Sequence, residues 1–388
     1  MPHAQELDLE KSSANSYVQF DTDADVPVEY ENGDTWYARA QRWAEKNYME
    51  PRSIERVPED ERHDTSLINV CTMWLSPNMV MGHFAVGILG KAIYGMGVVD
   101  SMLVILFANL LGVLPVCFFS CFGPVFGLRQ MVLSRFWFGA YGIRLVSAIA
   151  CVSGLGWATV NVIVGAELIH AVNTDVPAWA GIIIIAFCTF LITLFGYKVV
   201  HYYERYSWIP NFIVYLILLG TFIHSGAYVH IPMGSGSAEV SGVLSFFSVV
   251  FCTAITTGLD PNATDNIYLN GYNDSGAGGL IGAVLIPHLG DFGRFCLVIM
   301  ALSTVANNCP NVYSFTLNIK VIGRWTRLVP RFIWALIAAV VYSIIAIEGY
   351  SHFGPLASHD DIGFELGCIF TVVALLLSRP VEKRIFKR

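Results

Sequence analysis

Apolar residues fall along the chain in long blocks separated by short polar connections. A helix needs roughly 20 residues to cross about 30 Å of hydrocarbon. Blocks near that length run over 69–90, 98–121, 145–169, 178–197, 208–228, 292–317 and 330–348, with shorter candidates at 242–258 and 362–378. Helix is the expected form, because every backbone N–H and C=O in lipid must be paired within the protein. The period-two alternation of a barrel strand is missing from these blocks. Residues 1–68 are polar and charged with no apolar run of signal-peptide type, which predicts a largely disordered cytoplasmic tail carrying a short amphipathic helix at 36–49. The membrane domain then spans 69–378, and 379–388 form a basic cytoplasmic tail.

Composition sharpens this picture. Of 388 residues 55% are hydrophobic and 14% charged, and the mean hydropathy is +0.56; soluble domains carry about 25% charged residues. A net charge of −7 suits no nucleic-acid surface. The partner implied by the whole chain is a lipid bilayer. The nine cysteines are scattered without a CxxC pair and read as small hydrophobes. His201 and Glu204 in HYYERY read as a polar loop contact rather than a metal site. No nucleophile–base pair, phosphate loop or metal cluster stands out, so the chain does not read as an enzyme.

Lys and Arg cluster before the first block, between blocks two and three (Arg129, Arg135), between four and five (Lys198, Arg205), at 320–331 and at the end. By the positive-inside rule both termini are cytoplasmic. Loops 170–177, 229–241, 259–290 and 349–361 lack Lys and Arg and read as external. Loop 259–290 also holds two glycosylation-type triplets, at Asn262 and Asn273. A single crossing at 242–258 cannot join two external loops, so either that segment re-enters or a span is missing.

Three polar groups interrupt the blocks, where polar side chains either glue helices together or line a cavity. In block one, Ser76-Pro77-Asn78 is followed by Gly82 and His83. Pro77 lacks an N–H and displaces the Met73 carbonyl, which predicts a broken helix of the kind that builds transporter sites. In block three, Trp157 and Asn161 lie four apart on one face, an indole beside a carboxamide that suits a flat, neutral, hydrogen-bonding ring. Glu167, on the same block, reads as a water-exposed carboxylate at a helix end in preference to a proton carrier. In block six, Ser303, Asn307 and Asn311 form a stripe, joined by Asn308 and Pro310; three Asn in five residues exceed what packing requires.

The segments TMWLSPNM, SGLGWATVNVIVG, FGYKVVHYYERYSWIPN, GGLIGAVLIPHLGDFGRF, ALSTVANNCPNVYS and GYSHF resemble fungal purine–cytosine permeases, members of the nucleobase–cation symport family with a LeuT-like fold. The resemblance covers about 35–353 and 361–388. It implies proton-coupled import of cytosine, adenine, guanine and hypoxanthine at the plasma membrane, with the proton as coupling ion and no cofactor. It also implies an all-α inverted-repeat bundle of twelve spans that binds the base between spans one, three, six and eight. The matching positions are Trp157 and Asn161 in span three, and Asn307, Asn308, Pro310 and Asn311 in span eight. Ser76 and Asn78 match in span one, with Gly82-His83 where small hydroxyl residues are usual. The chain departs from the family where SVVFCTAITTG runs into DPNATDNIYLNGYNDSG, and again where GYSHF jumps to DDIGFELGCIF. The resemblance therefore implies an incomplete bundle of about eight or nine spans, with sequence missing near 253–259 and 353–361. A transport-incompetent relative, or an importer of another small heterocycle such as a vitamin, are the alternative readings.

Overall fold

A computed structural model of the chain describes residues 35–47, 49–50, 54–59, 62, 66–84, 97–225 and 267–350. The candidate spans 242–258 and 362–378, the triplet at Asn262, both proposed junctions and most of the two tails lie outside these residues.

The described residues are helical and contain no strand. In order they form α1 (Trp36–Lys46), α2 (Leu67–Asn78), α3 (Val98–Ser120), α4 (Phe122–Phe126), α5 (Gln130–Leu133), α6 (Arg135–Val172) and α7 (Ala178–Phe195). There follow α8 (Tyr197–His224), α9 (Ile267–Leu289), α10 (Asp291–Ile322), α11 (Arg324–Leu328) and α12 (Arg331–Gly349). Among the described residues, six stretches are long and apolar enough to cross a membrane: Val99–Phe126, Arg135–Val172, Ala178–Phe195, Tyr197–His224, Asp291–Ile322 and Arg331–Gly349. Each overlaps one of the apolar blocks, because span length and hydrophobicity are local properties that hydropathy reads directly. On α3, Leu106, Phe107, Leu110 and Leu114 all stay exposed, a surface suited to lipid.

Two expectations change. HYYERY is not a loop: α8 begins at Tyr197 and carries His201 and Glu204 in helical register, with Glu204 buried. The stretch 259–290, read as an external loop, contains α9, whose second half buries Ala277, Ile281, Val284 and Leu285. Its glycines and few charges resemble a loop in composition, yet the same small residues let the helix approach α6 closely. Pro310 lies inside α10, which runs on to Ile322. Proline in a membrane helix is tolerated where packing supports the backbone, and here Ala306, Cys309 and Val312 are all buried around it.

The core centres on α6 and α10, which run antiparallel through the middle of the bundle. The Ser147 hydroxyl bonds the Asn318 carbonyl, Gly154 lies beside the Asn311 carbonyl, and Gly165 packs on Thr304. Residues ascending α6 thus meet residues descending α10. Around this pair, α7, α9 and α12 bury Val162, Ile182, Leu285, Leu297, Ala338 and Tyr342.

At the basic end of the bundle Glu50, just after α1, ties four elements together. Its carboxylate accepts bonds from Tyr313 Oη of α10 (3.0 and 3.1 Å), from the Tyr197 backbone N–H of α8 (2.9 Å) and from Arg129 (3.5 Å). Arg331 of α12 stands 4.0 Å away and packs over the Tyr313 ring at 5.0 Å. Gly196 makes this approach possible: its φ of +89° is left-handed, and a Cβ there would collide with Glu50.

Candidate substrate site

Span one is discontinuous, with the interruption falling after Asn78 rather than in the turn between Met73 and Pro77. The Ser66 hydroxyl caps α2, and the helix stops at Asn78; Met79 and Val80 are irregular before one helical turn at 81–84. This break frees the Met81 N–H, which donates to Ser303 Oγ of α10 at 3.1 Å. It also carries Gly82 against α6. A Cβ on Gly82 would stand 2.8 Å from Asn161 Oδ1 and 4.0 Å from Asn307 Nδ2, so only glycine fits without displacing that amide.

Asn161 and Asn307 meet across the α6–α10 seam, Asn307 Nδ2 donating to Asn161 Oδ1 at 3.2 Å. One turn on, Asn311 Nδ2 donates to the Asn307 carbonyl at 3.1 Å. Asn161 is 1% exposed, and its own Nδ2 has no hydrogen-bond partner among the described residues. An unsatisfied buried donor costs about 1–3 kcal/mol. The Asn161 amide therefore stands as a buried donor with its bond still to make, beside a second carboxamide that is only half buried.

The predicted residues divide around this seam. The structure brings together Asn161, Asn307 and Asn311, with Pro310 between the last two. His83 follows Gly82 on the same short turn and is partly buried. Trp157 lies on α6 about 60° around the helix from the α10-facing line of Gly154, Asn161 and Gly165. Its indole is 46% exposed, at the edge of the seam.

Three others are placed elsewhere. Asn308, one position round from Asn307, is fully buried and donates to Thr189 Oγ1 of α7 at 3.4 Å. Ser76 is fully buried against α8, hydroxyl to hydroxyl with Ser207. Asn78 is exposed and bonds back to the Trp74 carbonyl of its own helix at 2.7 Å. Ser303 receives the broken helix, a role for which its spacing from Asn307 was the only sequence signal. Among the described residues no cluster of His, Cys, Asp or Glu is arranged to hold a metal.

The chain as a whole has known relatives. Residues 56–265 match the family model described as permease for cytosine/purines, uracil, thiamine, allantoin. A purine-cytosine permease of Emericella nidulans is 48% identical, over all of this chain and 84% of its own length. The chain belongs to this permease family. A purine-cytosine permease of Saccharomyces cerevisiae is 34% identical over 83% of this chain and 70% of its own. The Emericella alignment runs over 440 positions against a chain of 388 residues, so that relative carries sequence with no counterpart here.

Among solved structures, the nucleobase-cation-symport-1 family transporter Mhp1, closed with bromovinylhydantoin bound, superposes with a TM-score of 0.52 at 15% identity. The match covers 78% of this chain and 76% of Mhp1. The fold is thus the LeuT-like transporter bundle, and the protein is an integral membrane permease rather than an enzyme.

Proposed function

We propose that this permease imports nucleobases, namely cytosine, adenine, guanine and hypoxanthine, by proton symport across the plasma membrane, with both termini cytoplasmic. The observation that carries the reading is the unpartnered Asn161 amide beside Asn307, in a seam that Gly82 keeps narrow. Carboxamides offer a donor and an acceptor side by side, the pattern that a planar amide-like base edge complements. Among the described residues the site has no fixed charge, which favours a neutral solute over a zwitterion. The Trp157 indole at the rim supplies a flat apolar face on which a ring can stack. Four of the similar permeases, those of Emericella and Saccharomyces, are named for purines and cytosine.

The test is uptake of labelled cytosine and adenine in a permease-null cell, with surface expression checked in parallel. Saturable uptake that Asn161→Ala abolishes supports the proposal. Surface-expressed protein with no uptake establishes instead a transport-incompetent relative, the reading favoured by the sequence that the Emericella permease has and this chain lacks. Competition by pyridoxine separates a vitamin importer, since a vitamin B6 transporter of Saccharomyces cerevisiae is 27% identical over 87% of this chain and 66% of its own length.

A further inference from the structure

Glu167 overturns its sequence-based reading. It is 5% exposed, on α6 six residues beyond Asn161, and its carboxylate faces the interruption in α9 rather than water. Gly276 there has a φ of +56°, and a Cβ would collide with the carboxylate, so the chain passes directly over it. The Ala277 N–H, the first donor of the resumed helix, bonds Glu167 Oε2 at 3.1 Å.

Nothing cationic balances this group among the described residues. The titratable side chains within its electrostatic reach are Tyr272 of α9 and Tyr350 beyond α12. Burial, reinforced by the nearby Glu167 carboxylate, pushes the Tyr350 phenol up to about 12. The adjoining turns of α6 meet α7 and α10 through Gly181 on Ala166 and Thr304 on Gly165; neither neighbour titrates. His170 on α6 itself is turned to the Val176 carbonyl.

We propose that Glu167 is the proton-binding site of the transport cycle, and that the break in α9 sets its affinity for the proton. The inference rests on the symport reading above. A carboxylate at membrane depth without a counter-cation is tolerated only while backbone donors hold it. With α9 engaged, the Ala277 amide supplies that support and favours the ionised form. When the break lifts away the amide leaves, and the buried carboxylate gains one O–H bond by taking one proton from water on the accessible side. Proton binding and the position of α9 are then linked and reciprocal. Placement on the same helix as Asn161 gives the proton and the base one moving part.

The expected result in permease-null cells is that Glu167→Gln converts concentrative uptake to equilibration. Accumulation falls from roughly fifty-fold, the ratio one proton charge sustains across an ordinary membrane potential, to about one-fold. Counterflow exchange persists, and the dependence of accumulation on external pH disappears. Glu167→Asp restores part of it. A structural cap alone predicts the opposite: Glu167→Gln, which keeps an acceptor for Ala277, would still accumulate base in a protonophore-sensitive way, and that outcome overturns the proposal. So does loss of coupling in Glu204→Gln, a second carboxylate buried in the bundle, with Glu167→Gln unaffected.

A measurement on the unmutated protein covers failed expression of the variant. Dicyclohexylcarbodiimide, which modifies buried protonated carboxyls, should add to Glu167 with a yield that falls as pH rises; adducts confined to Glu204 overturn the assignment. If the unmutated chain carries no base at all, the symport reading fails, while this labelling still decides whether Glu167 binds the proton.

Discussion

Substituting Gly82 by alanine adds one methyl group where three segments meet. In the unfolded chain alanine is the stiffer residue, which favours Gly82→Ala by about 0.4–1 kcal/mol. Against this stands the new Cβ at 2.8 Å from Asn161 Oδ1, well inside ordinary contact distance. Overpacking of a tight site costs about 1–3 kcal/mol, so steric strain wins. Relief comes most easily through the Asn161 amide, because the α6 and α10 backbones are locked together at Ser147–Asn318 and Gly165–Thr304. Rotating that amide forfeits its 3.2 Å bond from Asn307. Interhelical hydrogen bonds in membranes are worth about 0.6–2 kcal/mol, and 1.4 kcal/mol is tenfold in affinity. The expected outcome is a KM for cytosine or adenine raised by about threefold to thirtyfold, with surface expression unchanged. Uptake measured against substrate concentration reads this directly. An unchanged KM in a well-expressed Gly82→Ala variant would show that Asn161 does not receive the base.

Three further substitutions probe the scaffold. Gly196→Ala meets both a left-handed backbone and the Glu50 carboxylate; a loss of about 2–4 kcal/mol is expected, seen as a lowered melting temperature of the detergent-solubilised protein. Gly220→Ala, with nothing within 4 Å, should melt at or slightly above the parent temperature. Asn308→Ala removes the donor to Thr189 from a fully buried position, so stability should drop by about 1–3 kcal/mol while KM stays at the parent value. A KM shift comparable to that of Asn161→Ala would return Asn308 to the site.

The membrane-spanning helices were legible from residue order alone, since an apolar run of sufficient length has few other stable forms. That the first span is interrupted was legible too, although the position of the break, after Asn78 rather than in the turn from Met73 to Pro77, was not. The stripe of Ser303, Asn307 and Asn311 followed from helical periodicity. Everything that depends on which helix faces which was hidden from such local rules. Asn161 and Asn307 are 146 positions apart, and no pattern in either block states that their amides touch or that Gly82 presses on them. Asn307 and Asn308 are chemically identical neighbours, yet a rotation of about 100° sends one to the seam and the other to Thr189. Glu167 looked like a wet helix end until α9, with the composition of a loop, packed over it. Local sequence chose the secondary structure; burial and partnership of each polar group came only from close packing between distant segments, which assigns every side chain its neighbours at once.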